Sequence, residues 1–88
     1  MATLRRISDG AGDGGAYSVA LGLDEGGNNI IEKGNRPIVG CVMRVGSVTA
    51  RSYSTQDYWT TTLITEILED TGYYVKFKTI NSIYEWRS

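Results

Sequence analysis

The chain has 88 residues, a formal net charge of −1, one cysteine and no histidine. A chain this short forms one domain and buries only about 60% of the surface its unfolded form exposes. With one thiol it has no disulfide to support it, so stability must come from a compact closed sheet or from association with further copies. The missing histidine removes the Ser-His-Asp and Cys-His arrangements, and one cysteine cannot close a zinc site. The expectation is therefore a non-enzymatic protein, residues 1–88 forming a single domain, with no metal and no cofactor.

The near-zero charge does not favour a duplex-DNA binder that works by neutralising phosphates. No run of 18 apolar residues occurs, so no membrane helix is expected. MATLRRISDG lacks the apolar stretch of a signal peptide. A single free thiol suits a reducing, cytoplasmic setting.

In chain order, TLRRISD reads as a short strand. DGAGDGG, Asp9 to Gly15, contains a G-x-G-x-x-G match at Gly10, Gly12 and Gly15. A dinucleotide-binding turn would need a crossover helix after it, and AYSVALGLDEGG is too short and too glycine-bounded for one. The expectation is a mobile loop. Tyr17–Leu23 (YSVALGL) alternates poorly but suits a strand. Asp24–Gly27 and Asn28-Asn29 are turns, NIIEK is a short edge strand, and GNRP punctuates the chain. Eight of the eleven glycines fall in residues 1–36, which makes this a glycine-rich, loop-rich region before a β core in 37–88.

PIVGCVMRV, then Gly46-Ser47, then VTARSY has the pattern of a type II′ hairpin. Its register pairs Val45 with Val48, Met43 with Ala50 and Cys41 with Ser52. One face is then apolar, and the other carries Arg44, Arg51 and Tyr53. STQDYW is a polar loop ending in Tyr58 and Trp59. In TTTLITEILED, Leu63, Ile64, Ile67 and Leu68 fit a helix face, whereas the threonines and isoleucines favour a strand. The reading here is strand, with helix as the alternative. Asp70–Gly72 is a turn. YYVKFKT alternates cleanly, with Val75 and Phe77 inward and Tyr74, Lys76 and Lys78 outward. Asn81-Ser82 interrupts the run, and SIYEW resumes it with Tyr84 and Trp86 on one face. The expected fold is all-β: an antiparallel meander or SH3-like barrel of about five strands.

If the two hairpins sit side by side, Arg44, Arg51, Lys76 and Lys78 share a face with Tyr53 and Tyr74. Arginine pairs bidentately with phosphate and tyrosine offers a stacking face. The plain alternative is a solvated sheet face. Tyr58, Trp59 and Trp86 either plug the core or anchor a protein partner. Asn81 and Ser82 either make only a turn or present the Asn81 amide to a ligand.

KTINSIYEW resembles the T-x-N-S-x-Y ending of many small proteins carried by phages and other mobile genetic elements. It is similar in this stretch to phage anti-defence sponge proteins that sequester Thoeris nucleotide signals. The resemblance implies an oligomeric β-rich protein that binds a nucleotide-type ligand without cleaving it, with Asn81 as a ligand-facing amide and Arg51 as a phosphate partner. The full expected ligand site is Arg44 and Arg51 on phosphate, Tyr53, Trp59 or Tyr84 on a base, and Asn81 on a polar edge, in a homo-oligomer. The alternatives are a protein-interaction module, as a host-factor inhibitor or virion component, and a single-strand nucleic-acid binder.

Overall fold

The computed structural model describes residues 2–46 and 58–88. These hold nine strands and no helix: β1 (Ala2–Arg6), β2 (Gly12–Gly15), β3 (Tyr17–Leu23), β4 (Ile30–Gly34), β5 (Val42–Gly46), β6 (Tyr58–Thr60), β7 (Ile64–Asp70), β8 (Tyr74–Thr79) and β9 (Ile83–Arg87). Every pairing is antiparallel. One sheet has the order β2-β1-β9-β8-β7 and the other β4-β3-β5-β6. The fold is all-β, but it is not a five-strand meander, and its two sheets do not close into a barrel.

The extra strands come largely from the glycine-rich third. Residues 2–34 hold four strands rather than a loop-rich lead-in. The Asp9–Gly15 segment is a hairpin turn followed by strand β2, not a mobile loop. Gly10 turns it at φ +71°, and Arg6 clamps it by a 2.6 Å ion pair to Asp9. Glycine is poor at specifying a strand alone, but once β1 offers its edge, the backbone of Gly12–Gly15 pairs with Ala2–Arg5. A Cβ on Gly12 would lie 1.8 Å from the Leu4 carbonyl oxygen, so only glycine fits there.

The chain changes sheets at Ala16, between β2 and β3, and again at residues 61–63, between β6 and β7. Each sheet turns its alternate residues to a shared core. Leu4, Ile64, Val75, Phe77, Tyr84 and Trp86 come from the five-stranded sheet, and Ala20, Met43 and Val45 from the other, with Cys41 just before β5. Complete burial of a side chain such as Phe77, Leu4 or Met43 contributes about 1.5–3 kcal/mol. The inward set Cys41, Met43, Val45, Val75, Phe77, Tyr84 and Trp86 matches the sequence pattern.

The partners of β5 differ from the expected hairpin. Val45 lies between Ser18 of β3 and Trp59 of β6, and Arg44 between Val19 and Thr60. Thr61 extends the β6 side: its N–H donates to the Met43 carbonyl (2.8 Å) and its Oγ1 accepts from the Met43 N–H (3.0 Å). Both edges of β5 are thus occupied from Met43 to Gly46 by strands other than the one expected. Val48–Tyr53, the second arm of that hairpin, and the Ser54–Asp57 loop lie outside the described residues.

Strand β7 resolves the helix-or-strand ambiguity. Ile64 pairs with Thr79, Glu66 with Lys78, Ile67 with Phe77 and Glu69 with Lys76, with register shifts that skip Thr65 and Leu68. Each bulge inserts one residue, so Ile64 and Ile67 both face the core although they are three apart.

Candidate functional surfaces

Three regions of the surface can be built from the residues upward. The first lies at one end of the sandwich. Arg6 closes the inner face of β1, opposite Tyr84 of β9. Its guanidinium lies 5.1 Å from the Trp59 ring centroid and pairs with Asp9. The Trp59 indole N–H donates to the Tyr84 hydroxyl at 3.3 Å. The Arg6 guanidinium, followed by the Ala11 N–H, holds the Asp9 carboxyl down at about 2. Beside this cluster, Ile7, Ser8, Asn81, Ser82 and Ile83 line a shallow depression of about 240 Å³.

Here the expected ligand residues separate. Asn81 sits exposed at the tip of the β8–β9 hairpin, whose turn is closed by the Thr79 N–H and Oγ1 donating to the Ser82 carbonyl. Tyr84 is buried, with one ring face stacked on Phe77 at 5.6 Å. Trp59 lies in strand β6 rather than a loop and packs half-buried against the core. Trp86 is buried, and its indole N–H donates to Ser18 Oγ at 3.1 Å, across the two sheets. Trp59 and Trp86 are thus core rings, because a small sandwich fills its ends with its largest side chains. Arg51 and Tyr53 lie outside the described residues.

The second region is the outer face of the five-stranded sheet. The register lines up Glu69, Lys76, Glu85 and Arg5 across four neighbouring strands, ending at Gly12. Glu66 stands opposite Lys78 in the next row. Arg87 pairs with Glu85 at 3.1 Å and lies 4.7 Å from the Tyr74 ring centroid. Opposite charges alternate across the strands, which is the arrangement of a solvated sheet face. Glu85, as hydrogen-bond partner, and partial burial raise the Tyr74 hydroxyl above its ordinary value. Thr3, Leu4, Arg5, Gly12, Asp13 and Gly14 line an open trough here of about 330 Å³.

The third region is the outer face of the four-stranded sheet. Arg44 belongs here, on the opposite side of the molecule from Lys76 and Lys78, so these three do not share the expected basic face: β5 and β8 lie in different sheets. Arg44 Nε donates to Thr60 Oγ1 at 3.0 Å, and its guanidinium lies 4.8 Å from the Tyr58 ring centroid. Tyr17 stands 5.9 Å from Tyr58. Tyr58 is a half-buried strand residue.

Towards the other end this face turns apolar. Leu21 opposes Val42, and Leu23 opposes Ile30. These four, with Gly40 and Leu63, line a depression of about 320 Å³. Leu23 is 57% exposed, Ile30 73% and Leu63 42%. None of these residues was singled out from the sequence as a site. The signal was the poor alternation of YSVALGL, which carries apolar residues on both faces of one strand.

Among the described residues no group of three or more Cys, Asp or Glu side chains converges to hold a metal ion. Cys41 is buried beneath Gly22, whose Cβ, were one present, would lie 2.9 Å from its sulfur. No helix of the described residues is long and apolar enough to cross a membrane. Comparison with protein-family models, with curated proteins and with solved structures gives no match.

Proposed function

We propose that this chain is a non-catalytic protein-interaction domain whose contact surface is the apolar part of the four-stranded sheet's outer face. The observation that carries the reading is the contrast between the two outer faces. One is laddered with alternating charges. The other exposes Leu23, Ile30 and Leu63 around a depression with an apolar lining. Single exposed apolar side chains are ordinary, whereas a contiguous group around a concavity marks a contact surface. Tyr58, Trp59 and Trp86 are not its anchors in this reading; the leucines and isoleucine are. A photo-crosslinking residue at Leu63 should capture a protein other than this chain, and one at Lys78 should not. Equal capture from both positions, or none from Leu63, would sink the proposal.

A second reading keeps the nucleotide-type ligand and moves it to the end of the sandwich. The observation in its favour is that Asn81 lines a depression next to Arg6, a cation already stacked on Trp59. Arg44 then plays no part. A thermal-shift screen against nucleotides, cyclic oligonucleotides and ADP-ribose derivatives tests it. A ligand at a hundred times its dissociation constant adds about 2.7 kcal/mol, a clear shift in a domain this small. A shift that Asn81→Ala leaves intact would move the ligand elsewhere.

A further inference from the structure

Among the described residues the two sheets end in four edge strands, β2, β7, β4 and β6. An exposed edge is a template for another strand, and proteins usually blunt it. Strand β7 is blunted by two bulges. Strand β6 has three residues. Strand β2 has four, three of them glycine. Strand β4 runs five residues, Ile30–Gly34. It has one bulge, at Lys33, which leaves Ile30–Glu32 regular and unblunted.

Strand β4 is also uncovered on both faces. Its first four residues are all exposed, including Ile30 on the outer side and Ile31, 40% exposed, on the inner. It supplies no residue to the core. A strand with two isoleucines and no buried side chain is incomplete as it stands.

The backbone shows which groups face the free edge. The Asp24 N–H donates to the Asn29 carbonyl at 2.8 Å, so Asn29 directs its backbone groups at β3. By alternation Ile31 does the same, which leaves the N–H and C=O of Ile30 and Glu32 directed outward.

We propose that β4 pairs with β4 of a second copy of this chain, antiparallel about a twofold axis at Ile31, joining two four-stranded sheets into one of eight. A twofold axis perpendicular to the sheet keeps each face on its own side, so it must pass through a residue pair, and side-chain charge selects the pair. An axis at Glu32 sets two carboxylates opposite each other, and an axis at Lys33 sets two ammonium groups opposite; like charges so placed are destabilising. An axis at Ile30 would pair the strand with residues of its own turn. The axis at Ile31 sets Ile31 against Ile31 at the close, non-hydrogen-bonded spacing. It sets Ile30 against Glu32 twice, where the outward backbone groups exchange hydrogen bonds. Asn29 then stands opposite Lys33, with no like-charge contact.

This pairing is independent of the outer-face reading, and its test reads mass and disulfide formation rather than capture of a foreign protein. Sedimentation equilibrium of the full chain should give a dimer, and Ile31→Lys, at an exposed position, should give a folded monomer by circular dichroism. Ile31→Cys should oxidise to a disulfide-linked dimer, because a non-hydrogen-bonded pair brings Cα atoms within disulfide reach. Ile30→Cys should not, since its twofold mate lies two residues further along. The buried Cys41 stays in place in both. A wild-type monomer at millimolar concentration, a dimer that survives Ile31→Lys, or a disulfide that forms in Ile30→Cys but not in Ile31→Cys would each overturn the proposal.

Discussion

The Trp59 indole N–H donates to the Tyr84 hydroxyl at 3.3 Å, tying strand β6 of one sheet to strand β9 of the other. The bond lies under the Arg6 guanidinium and beside the Phe77–Tyr84 stack. It makes Trp59 a structural residue. Trp59→Ala should therefore destabilise the fold by roughly 2–4 kcal/mol, near the range for large-to-small core changes. Thermal unfolding should fall by roughly 10 °C or more. An unchanged midpoint would return Trp59 to the surface. Tyr84→Phe, which removes the acceptor of the indole N–H, should cost about 1 kcal/mol.

Gly12 and Gly26 give opposite expectations. Glycine within a strand normally gains about 0.5–1 kcal/mol when replaced by alanine. At Gly12 the added Cβ meets the backbone oxygen of Leu4, which cannot step aside without moving β2. Gly12→Ala should destabilise by more than about 1 kcal/mol and speed amide exchange along the β1–β2 ladder. Gly26→Ala meets first the Asn28 side-chain amide, a flexible neighbour, and should be close to neutral. Equal effects would argue against the β1–β2 register.

The charge ladder is testable at its centre. Lys76 stands between Glu69 and Glu85. Lys76→Glu would set three carboxylates in one row and should cost roughly 0.2–1 kcal/mol for each like-charge contact. Because the face is solvated, about 1 M salt should remove most of that loss. A loss that salt leaves untouched would mean that Lys76 acts through packing.

Acid should weaken the fold through three turn aspartates. Asp9 is held at about 2 by Arg6 and the Ala11 N–H. Asp24 is lowered by the Asn29 side chain and the Asn28 N–H, and Asp70 by the Gly72 N–H and Arg36. A lowered carboxyl contributes stability that is fully present above its ordinary value of 3.8 and is lost as pH falls through the folded value. The thermal midpoint should thus drop between about pH 4 and pH 2, and Asp9→Asn should flatten the drop. Tyr74 has the opposite sign: its contribution is present below its ordinary value of 10.0 and is lost as pH rises through the raised folded value. Midpoints measured across both ranges check the two signs together.

Much of this architecture is legible in short stretches of the chain. YVKFKT and IYEWR bury alternate residues because a strand has a period of two, and water excludes the apolar set whichever strand lies alongside. Asp24–Asn29 and Asp70–Gly72 are turns because their side chains cap nearby backbone groups: Asp24 accepts from the Asn28 N–H and Asp70 from the Gly72 N–H. These are local effects, and sequence by itself determined them: the strand type, the inward face and the position of most turns.

Tertiary structure alone decided which edges meet. Nothing local distinguishes Val48 from Ser18 or Trp59 as a neighbour for Val45, since all satisfy the same backbone groups; the choice falls to how the whole set of strands covers one core. The same holds for GDGG, which has little strand preference of its own and becomes a strand because β1 presents an edge to it. It holds for β7, whose two bulges let residues at helical spacing face one core. And it holds for the surfaces: Arg44 and Lys76 read as companions in the chain, but they lie on opposite outer faces because their strands entered different sheets. Side-chain period is a property of a few consecutive residues, whereas strand pairing is set by burial summed over the whole domain.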